Sequence, residues 1–289
     1  TGVATNDFGI AKDGSMKDTY QRGMAIKANF TILSEGARGS LSEEAIAKFD
    51  LRKNKSPQTY GLGFKEVWEI DMDALKEYGL GKVVHTIGYP VDQNTYGGGF
   101  LYTMEDGKVH LGYILGLDYK NPHLNLYQEF QLWKSHPKIR PLLEKGRCIK
   151  YGARVISQGG FDAIPKLTFP GGALIGCSAG FVDILKIKGT HNAMKTGMMA
   201  AEAIANEVIT KEGVENVLPG TILADYENLY ENSWVYSELK KVRHVKQGFK
   251  NGLFSGLSSS LLAMHGFLKE PIATLSTVED HETMNSINR

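Results

Sequence analysis

Residues 169–204 read FPGGALIGCSAGFVDILKIKGTHNAMKTGMMAAEAI. Within them Ala173-Leu174-Ile175 is an apolar run of the length of a buried parallel strand. A loop of small residues follows, Gly176-Cys177-Ser178-Ala179-Gly180, and Lys188-Gly189-Thr190 then opens a segment rich in Ala and Met. Ala193, Met194, Gly197, Met198, Ala201, Ile204 and Val208 recur at three- and four-residue spacing, which predicts a helix with one apolar face. Gly197 costs about 1 kcal/mol against Ala inside a helix, so close packing is expected at that point. Strand, glycine turn and helix start, in that order, aim backbone N–H groups and a positive dipole end at an anionic ligand. Glycine lets the main chain approach where a Cβ would block it. The same residues also describe a buried strand–helix unit without a ligand. Either way the class is α/β, with α+β character where other segments interrupt it.

The chain of 289 residues is long enough for two joined domains, and 33 basic residues stand against 32 acidic ones. No global field therefore favours nucleic acid. Cys148 and Cys177 are the two cysteines, too few for a disulfide framework or a four-cysteine metal or cluster site. The eight histidines show no metal-ligand spacing. The start, Thr1-Gly2-Val3, shows no signal or transit peptide and reads as part of a longer protein.

Upstream, Asp13-Gly14 and Arg22-Gly23 are turn signals of a hairpin that feeds the β-rich run at 28–33. That run closes on Glu35-Gly36, and Ser42 is a plausible N-cap for a helix through Phe49. From 58 to 117 the pattern changes to strands at 59–70, 83–88, 99–104 and 109–116, an antiparallel sheet inserted into the α/β unit. Glu66, Glu69, Asp71 and Asp73 read as a solvated strand edge. In Tyr96-Gly97-Gly98-Gly99-Phe100, three glycines weaken a strand unless a flat ligand lies against the backbone or the segment is a bulge or loop. Leu126, Phe130 and Trp133 mark a core helix, a shorter one follows at 139–143, and 151–167 leads back to the opening stretch.

Near the C-terminus, Lys240, Lys241, Arg243, Lys246 and Lys250 form a basic cluster. The stretch from Phe249 to Leu268 overlaps its end, and there Leu253, Phe254, Leu257, Leu261, Met264 and Leu268 form an apolar stripe at helical spacing. Gly248, Gly252 and Gly256 give a small-residue face suited to close helix contact. The run lacks the ~20 mostly apolar residues of a membrane span. It suits a helix in a membrane interface, or one packed on its own domain.

Gly176-Cys177-Ser178-Ala179-Gly180 matches the G-x-S-x-G elbow of hydrolases, but residues 181–188 intervene before the long helix and no HGGG-type oxyanion loop precedes it. Asp225 with His244 or His265 completes a triad in a formal sense alone.

Tyr96-Gly97-Gly98, Glu129-Phe130 with Trp133-Lys134 and His136-Pro137, the words at 164–172 and 186–191, and Asn232-Ser233-Trp234-Val235 together resemble the electron-transfer-flavoprotein–ubiquinone oxidoreductases. The likeness runs from the start to about Pro271. It implies part of a two-dinucleotide-binding-domain flavoprotein fold with an inserted antiparallel-sheet quinone-binding domain and a C-terminal membrane-surface helix. The implied segments are 1–56 and 151–221 for the FAD-binding domain, 57–150 for the quinone domain, 222–271 for the helical part, and an unassigned tail at 272–289. Tyr96, Gly97 and Gly98 are similar to the quinone site, with no side-chain catalyst required. Glu35, Gly36, Gly176, Ser178, Ala179, Gly180, Gly189 and Thr190 are similar to residues lying against FAD. Phe249, Leu253, Phe254, Leu257 and Leu261 would face the membrane. The implied cofactors are FAD and, in the intact protein alone, a [4Fe–4S] cluster; the implied partners are electron-transfer flavoprotein, ubiquinone and a membrane surface.

The resemblance places the protein on the matrix side of the mitochondrial inner membrane, with a bacterial cytoplasmic membrane as the alternative. Three departures bear on it: the G-x-G-x-x-G fingerprint is not in this sequence, nor are the cluster cysteines, and Leu185 stands where proline is expected. A geranylgeranyl-reductase-like flavoprotein shares the fold, and a non-catalytic membrane-interface module is the rival from another class.

Overall fold

The computed structural model describes residues 2–265 and 277–287. In chain order the strands are β1 (Gly2–Ala4), β2 (Phe8–Ile10), β3 (Met16–Gln21), β4 (Ala25–Lys27), β5 (Thr31–Leu33), β6 (Tyr60–Ile70), β7 (Val83–His85), β8 (Gly97–Thr103), β9 (Lys108–Gly116), β10 (Gly146–Ser157), β11 (Thr168–Phe169) and β12 (Gly172–Leu174). The helices are α1 (Ser40–Lys48), α2 (Met72–Tyr78), α3 (Leu126–Lys134), α4 (Arg140–Leu143), α5 (Thr190–Thr210), α6 (Ala224–Glu231), α7 (Trp234–Lys241), α8 (Val245–Gly248) and α9 (Leu253–Met264). Two compact units divide them. The first holds Thr1–Lys53, Pro165–Ala179 and Gly189–Ser237; the second holds Asn54–Ile164, Gly180–Lys188 and Glu238–Arg289.

In the first unit β12 lies between antiparallel β11 and parallel β5. It ends at Leu174, one residue before its apolar run does, although the Ile175 N–H still reaches the Leu33 carbonyl at 3.1 Å. α5 begins at Thr190 as its pattern predicts, but it buries a different face. Asn192, Thr196, Met199, Ala200 and Ala203 point inward, while Met194 and Met198 are 66% and 61% exposed. The reason is polar. Thr196 Oγ1 accepts from the Gly176 N–H at 3.1 Å and donates to the Asn192 carbonyl at 2.9 Å, and the two alanines let the helix approach.

Gly197 is not pinned by that packing. A Cβ there would meet Ile175 Cδ1 at 3.7 Å, an ordinary contact. Gly197→Ala should therefore stabilise the unit by about 1 kcal/mol. The check is a higher urea midpoint at unchanged m-value; a lower midpoint would count against this packing.

α1 starts after Gly39, so Ser42 is a buried first-turn residue and not the N-cap the sequence suggests. The cap comes from Glu35, whose carboxylate accepts from the Ser42 N–H and hydroxyl, both at 2.7 Å. An anion at this end meets both the unpaired N–H groups and the dipole.

The second unit is built on a five-stranded antiparallel sheet in the order β10-β6-β9-β8-β7. Its four expected strands are present. β10 is the addition: twelve residues, ten of them exposed, with no apolar alternation to announce it. A domain boundary drawn at residue 150 would cut this strand. Because β10 pairs along β6, the carboxylates of β6 are not on a sheet edge. Glu66 is 6% exposed, and it accepts from Lys134 Nζ at 2.9 Å and from the Trp68 indole N–H at 2.7 Å. Helices α2, α3 and α4 pack on one face of the sheet through Leu75, Phe130, Trp133 and Leu142.

The C-terminal stripe is not one helix. Gly252, at φ 94°, breaks it between a 3-10 turn at Phe249–Asn251 and α9. The close approach expected of the glycines is real, but it lies between segments. A Cβ on Gly248 would come 2.5 Å from Ser259 Oγ, and one on Gly256 would come 2.1 Å from the Phe249 ring. Leu268 and Pro271, where the stripe and the resemblance were expected to end, lie outside the described residues. The tail that sequence left unassigned docks on this unit through 277–287. Asp280 accepts from the Tyr60 N–H at 2.9 Å, and the Asn285 N–H reaches the Lys120 carbonyl at 2.9 Å. Burial pushes the Asp280 carboxyl up to about 6.

Candidate functional site

A small, shallow cleft opens at one end of the five-stranded sheet. Its walls are the 87–97 loop at the start of β8, together with Phe249 and Leu253. The loop is tied down from three sides. Tyr113 donates its hydroxyl to the Gly88 carbonyl at 2.6 Å, Asp92 accepts from the Thr95 hydroxyl at 2.9 Å, and the Leu253 N–H reaches the Gln93 carbonyl at 2.9 Å.

Tyr96 lies between two partners. The Phe249 ring meets it edge-on at 4.8 Å, and Lys246 Nζ sits 4.3 Å from its ring centroid. Lys246 is 4% exposed and bonded to Asp118 at 2.9 Å. It is therefore not a free membrane-facing cation, as its place in the basic cluster suggested, whereas Lys241 and Lys250 are exposed. Burial, and then the Asp118 charge, push the Tyr96 phenol up to about 12, so its hydroxyl stays neutral.

Each of the three glycines makes room for the protein itself. A Cβ on Gly97 would lie 2.6 Å from Leu115 Cδ2, one on Gly98 2.2 Å from the Thr86 carbonyl oxygen, and one on Gly99 2.4 Å from the Trp133 ring. Tyr96 and Gly97 line the cleft, while Gly98 lies behind them against the chain following β7. The expected membrane set divides as well. Phe249 and Leu253 line the cleft, whereas Phe254 is 79% exposed, with Leu257 and Leu261 exposed on the same side of α9. Among the described residues no helix is long and apolar enough to cross a membrane.

The first unit brings together most of the turn read from the opening stretch. Ser178 accepts from the Glu35 N–H at 2.8 Å, which locks the end of β5 to the turn after β12. That hydroxyl is engaged and nearly buried, so the G-x-S-x-G match is a structural hydrogen bond and not a nucleophile. The Glu35 carboxylate is committed to α1. Gly36, at φ 90°, has nothing within 4 Å of a would-be Cβ. Ala179 is buried, Gly176 has φ 55°, and Gly189 precedes Thr190 at an α5 terminus with no side-chain cap and no acidic residue in its first turn. Gly180 falls in the second unit, where a Cβ would lie 2.5 Å from Gln58 Nε2.

Burial pushes the Cys177 thiol up; burial and then the nearby Glu66 do the same to Cys148. The two cysteines belong to different units, and no His/Cys/Asp/Glu group that could hold a metal occurs among the described residues.

Residues 60–156, which run from the start of β6 to within one residue of the end of β10, match the family model for "ETF-QO, ubiquinone-binding". The human mitochondrial electron transfer flavoprotein-ubiquinone oxidoreductase is 50% identical over 260 residues, covering 89% of this chain and 42% of that protein. Over most of its length the chain is similar to the electron transfer flavoprotein–ubiquinone oxidoreductases. The Dictyostelium discoideum mitochondrial member is 47% identical over 283 residues, covering 95% of the chain and 46% of the relative. The chain thus spans less than half the length of these relatives. A geranylgeranyl bacteriochlorophyll reductase-like protein from Thermoplasma acidophilum shares the fold with a TM-score of 0.58, at 16% identity, over 86% of this chain and 56% of that one. That likeness bears out the mixed α/β class.

Proposed function

We propose that, within the full-length protein, the second unit seats ubiquinone for an oxidoreductase that takes electrons from reduced electron-transfer flavoprotein. The observation that carries this reading is the continuity from cleft to apolar surface. Leu253 forms a cleft wall, and the next residue, Phe254, begins the exposed side of α9. A quinone whose tail stays in lipid needs that arrangement: a head-group cleft whose apolar wall continues onto a membrane-seated helix.

Tyr96 and Gly97 face the head group, and Gly98 holds the neighbouring strand close behind them. The neutral Tyr96 hydroxyl is the donor that orients a quinone oxygen; Lys246 places positive charge behind the Tyr96 ring, where it stabilises negative charge arriving on the quinone. Gly36, Gly176, Ala179, Gly189 and Thr190 would hold FAD: the open space over Gly36 and the uncapped α5 terminus fit a flat, anionic cofactor. Glu35 and Ser178 act by holding that turn in place. FAD, when bound, supplies the electron transfer. The two cysteines do not fit a [4Fe–4S] cluster, which needs four thiolates.

The named relatives are mitochondrial. We place the protein on the matrix side of the inner membrane, lying on the surface through α9. The test replaces Phe254, Leu257 and Leu261 by Ser in the full-length protein. Each loss is worth about 1.5–3 kcal/mol of apolar burial, so vesicle partitioning should fall at least about 100-fold while a soluble short-chain quinone is still reduced. Unchanged partitioning would remove α9 as the anchor. Failure of the wild-type protein to reduce any quinone would remove the oxidoreductase reading.

A further inference from the structure

The sheet of the second unit has a covered face and an open one. Directly paired residues on neighbouring strands share a face. One row across the open face is Gly152, Lys65, Gly112, Phe100 and His85; the next is Lys150, Val67, His110, Tyr102 and Val83. Arg154 pairs with Gly63 in the row beyond. The other face carries Phe64, Glu66 and Tyr113 into the helices.

This open face is not an ordinary solvated surface. Phe100 lies flat over Gly112, where a Cβ would come 2.6 Å from its ring, and stacks on Tyr102 at 5.2 Å. His85 meets Tyr102 edge-on at 6.0 Å, which extends the aromatic ladder to β7. Lys65, Lys150 and Arg154 are exposed and form no ion pair among the described residues. Two carboxylates at the far end are neutralised, Glu69 by Arg147 and Asp106 by Lys108. Burial and then Lys65 hold the His110 imidazole below its usual range, in keeping with surplus positive charge on the face. The face therefore presents an aromatic centre with an unbalanced cationic rim on a chain whose total charge is +1. Aromatic centres with charged rims are the anatomy of protein interfaces, and one-signed rims steer encounter.

We infer that this open sheet face docks the acidic surface of a soluble protein, namely the electron donor of the reading above, on which the inference rests. None of Lys65, Lys150, Arg154, Phe100 or Tyr102 lines the cleft, so a donor seated there leaves the quinone entry free. A second copy of the chain would set like charge against like across an isologous contact. Single-stranded nucleic acid needs a longer cationic track than three side chains on a nearly neutral chain.

The experiment uses the full-length protein with Lys65→Glu, Lys150→Glu and Arg154→Glu combined, and purified electron-transfer flavoprotein as the probe. At low salt the KM for the reduced flavoprotein should rise at least about tenfold, and its dependence on ionic strength should flatten. Reduction of the bound flavin by added ubiquinol, which needs no donor protein, should stay at the wild-type rate. A wild-type KM in the variant overturns the docking assignment, and so does equal loss of both steps, because a donor surface acts on the donor alone. Dimerisation through this face, or tight binding of a mixed-sequence RNA by the wild-type protein, would overturn it as well. A wild-type protein that accepts no electrons from the flavoprotein yet oxidises ubiquinol removes the donor and its dock together. The neutral set Lys65→Gln, Lys150→Gln and Arg154→Gln provides the same readout where reversal impairs folding.

Discussion

Lys246→Met should cost the second unit about 3–5 kcal/mol, because it strands the Asp118 carboxylate beside a buried ring. The lysine is 4% exposed, and its ammonium has two commitments: Asp118 at 2.9 Å and the Tyr96 ring at 4.3 Å. Removing it deletes an ion pair and a desolvated cation–π contact, the latter worth about 2 kcal/mol. The double variant Lys246→Met/Asp118→Leu should recover most of the loss, since a buried pair replaced by apolar groups is often neutral. Urea unfolding of the three variants checks this; equal midpoints for the wild type and Lys246→Met would show that water reaches Asp118. Vesicle binding at low salt should be unaffected by Lys246→Met. On sequence Lys246 counted among the membrane cations, and the structure withdraws it from that role.

The same lysine shows where sequence reasoning stops. Its partner lies 128 residues earlier in the chain, so nothing in the local basic cluster marks it as buried. Glu66 is a parallel case: its burial depends on Lys134, and on β10 converting β6 from an edge into an interior strand. β10 carries no periodic signal because ten of its twelve residues are exposed, which erases the alternation that reveals a half-buried strand. The tail docks through backbone and carboxylate hydrogen bonds, which leave no hydrophobic pattern. What was legible had strong periodicity or punctuation: α5, four strands of the sheet, and the glycine turns. Even for α5 the periodicity gave the helix and missed its inward face. Thr196 and Asn192 are polar by composition, yet they sit where the turn needs a hydroxyl and where small side chains permit approach. By sequence the glycine triplet fits either access for a flat ligand or a bulge or loop. The structure gives each glycine a protein neighbour, and ligand access follows at second hand from the loop those contacts hold.

Gly98→Val should suppress quinone reduction by at least about 100-fold in the full-length protein while flavin content is retained. A Cβ at this position would lie 2.2 Å from the Thr86 carbonyl oxygen and 3.2 Å from Ile87 Cα, both backbone atoms that cannot rotate away. Relief requires the chain after β7 to move off β8. Overpacking typically costs about 1–3 kcal/mol, and a backbone clash belongs at the upper end. That movement strains specific bonds: the reciprocal pair between Thr86 and Gly99 at 2.8 and 3.1 Å, and the Trp133 indole N–H donated to the Thr86 hydroxyl at 2.9 Å. Ile87 and Gly88 form the adjoining cleft wall, so the shift opens the cleft that Tyr96 and Gly97 face. Gly97→Ala serves as the contrast. Its Cβ would meet Leu115 Cδ2 at 2.6 Å, the end of a flexible side chain, and the Ile114 carbonyl oxygen at 3.0 Å, so a milder defect in both stability and quinone KM is expected. A Gly98→Val protein with wild-type quinone kinetics would separate the strand contact from the cleft and remove Gly98 from the quinone site. Loss of flavin along with quinone activity would instead place the damage beyond the second unit, against the reading in which Gly98 acts on the cleft wall alone.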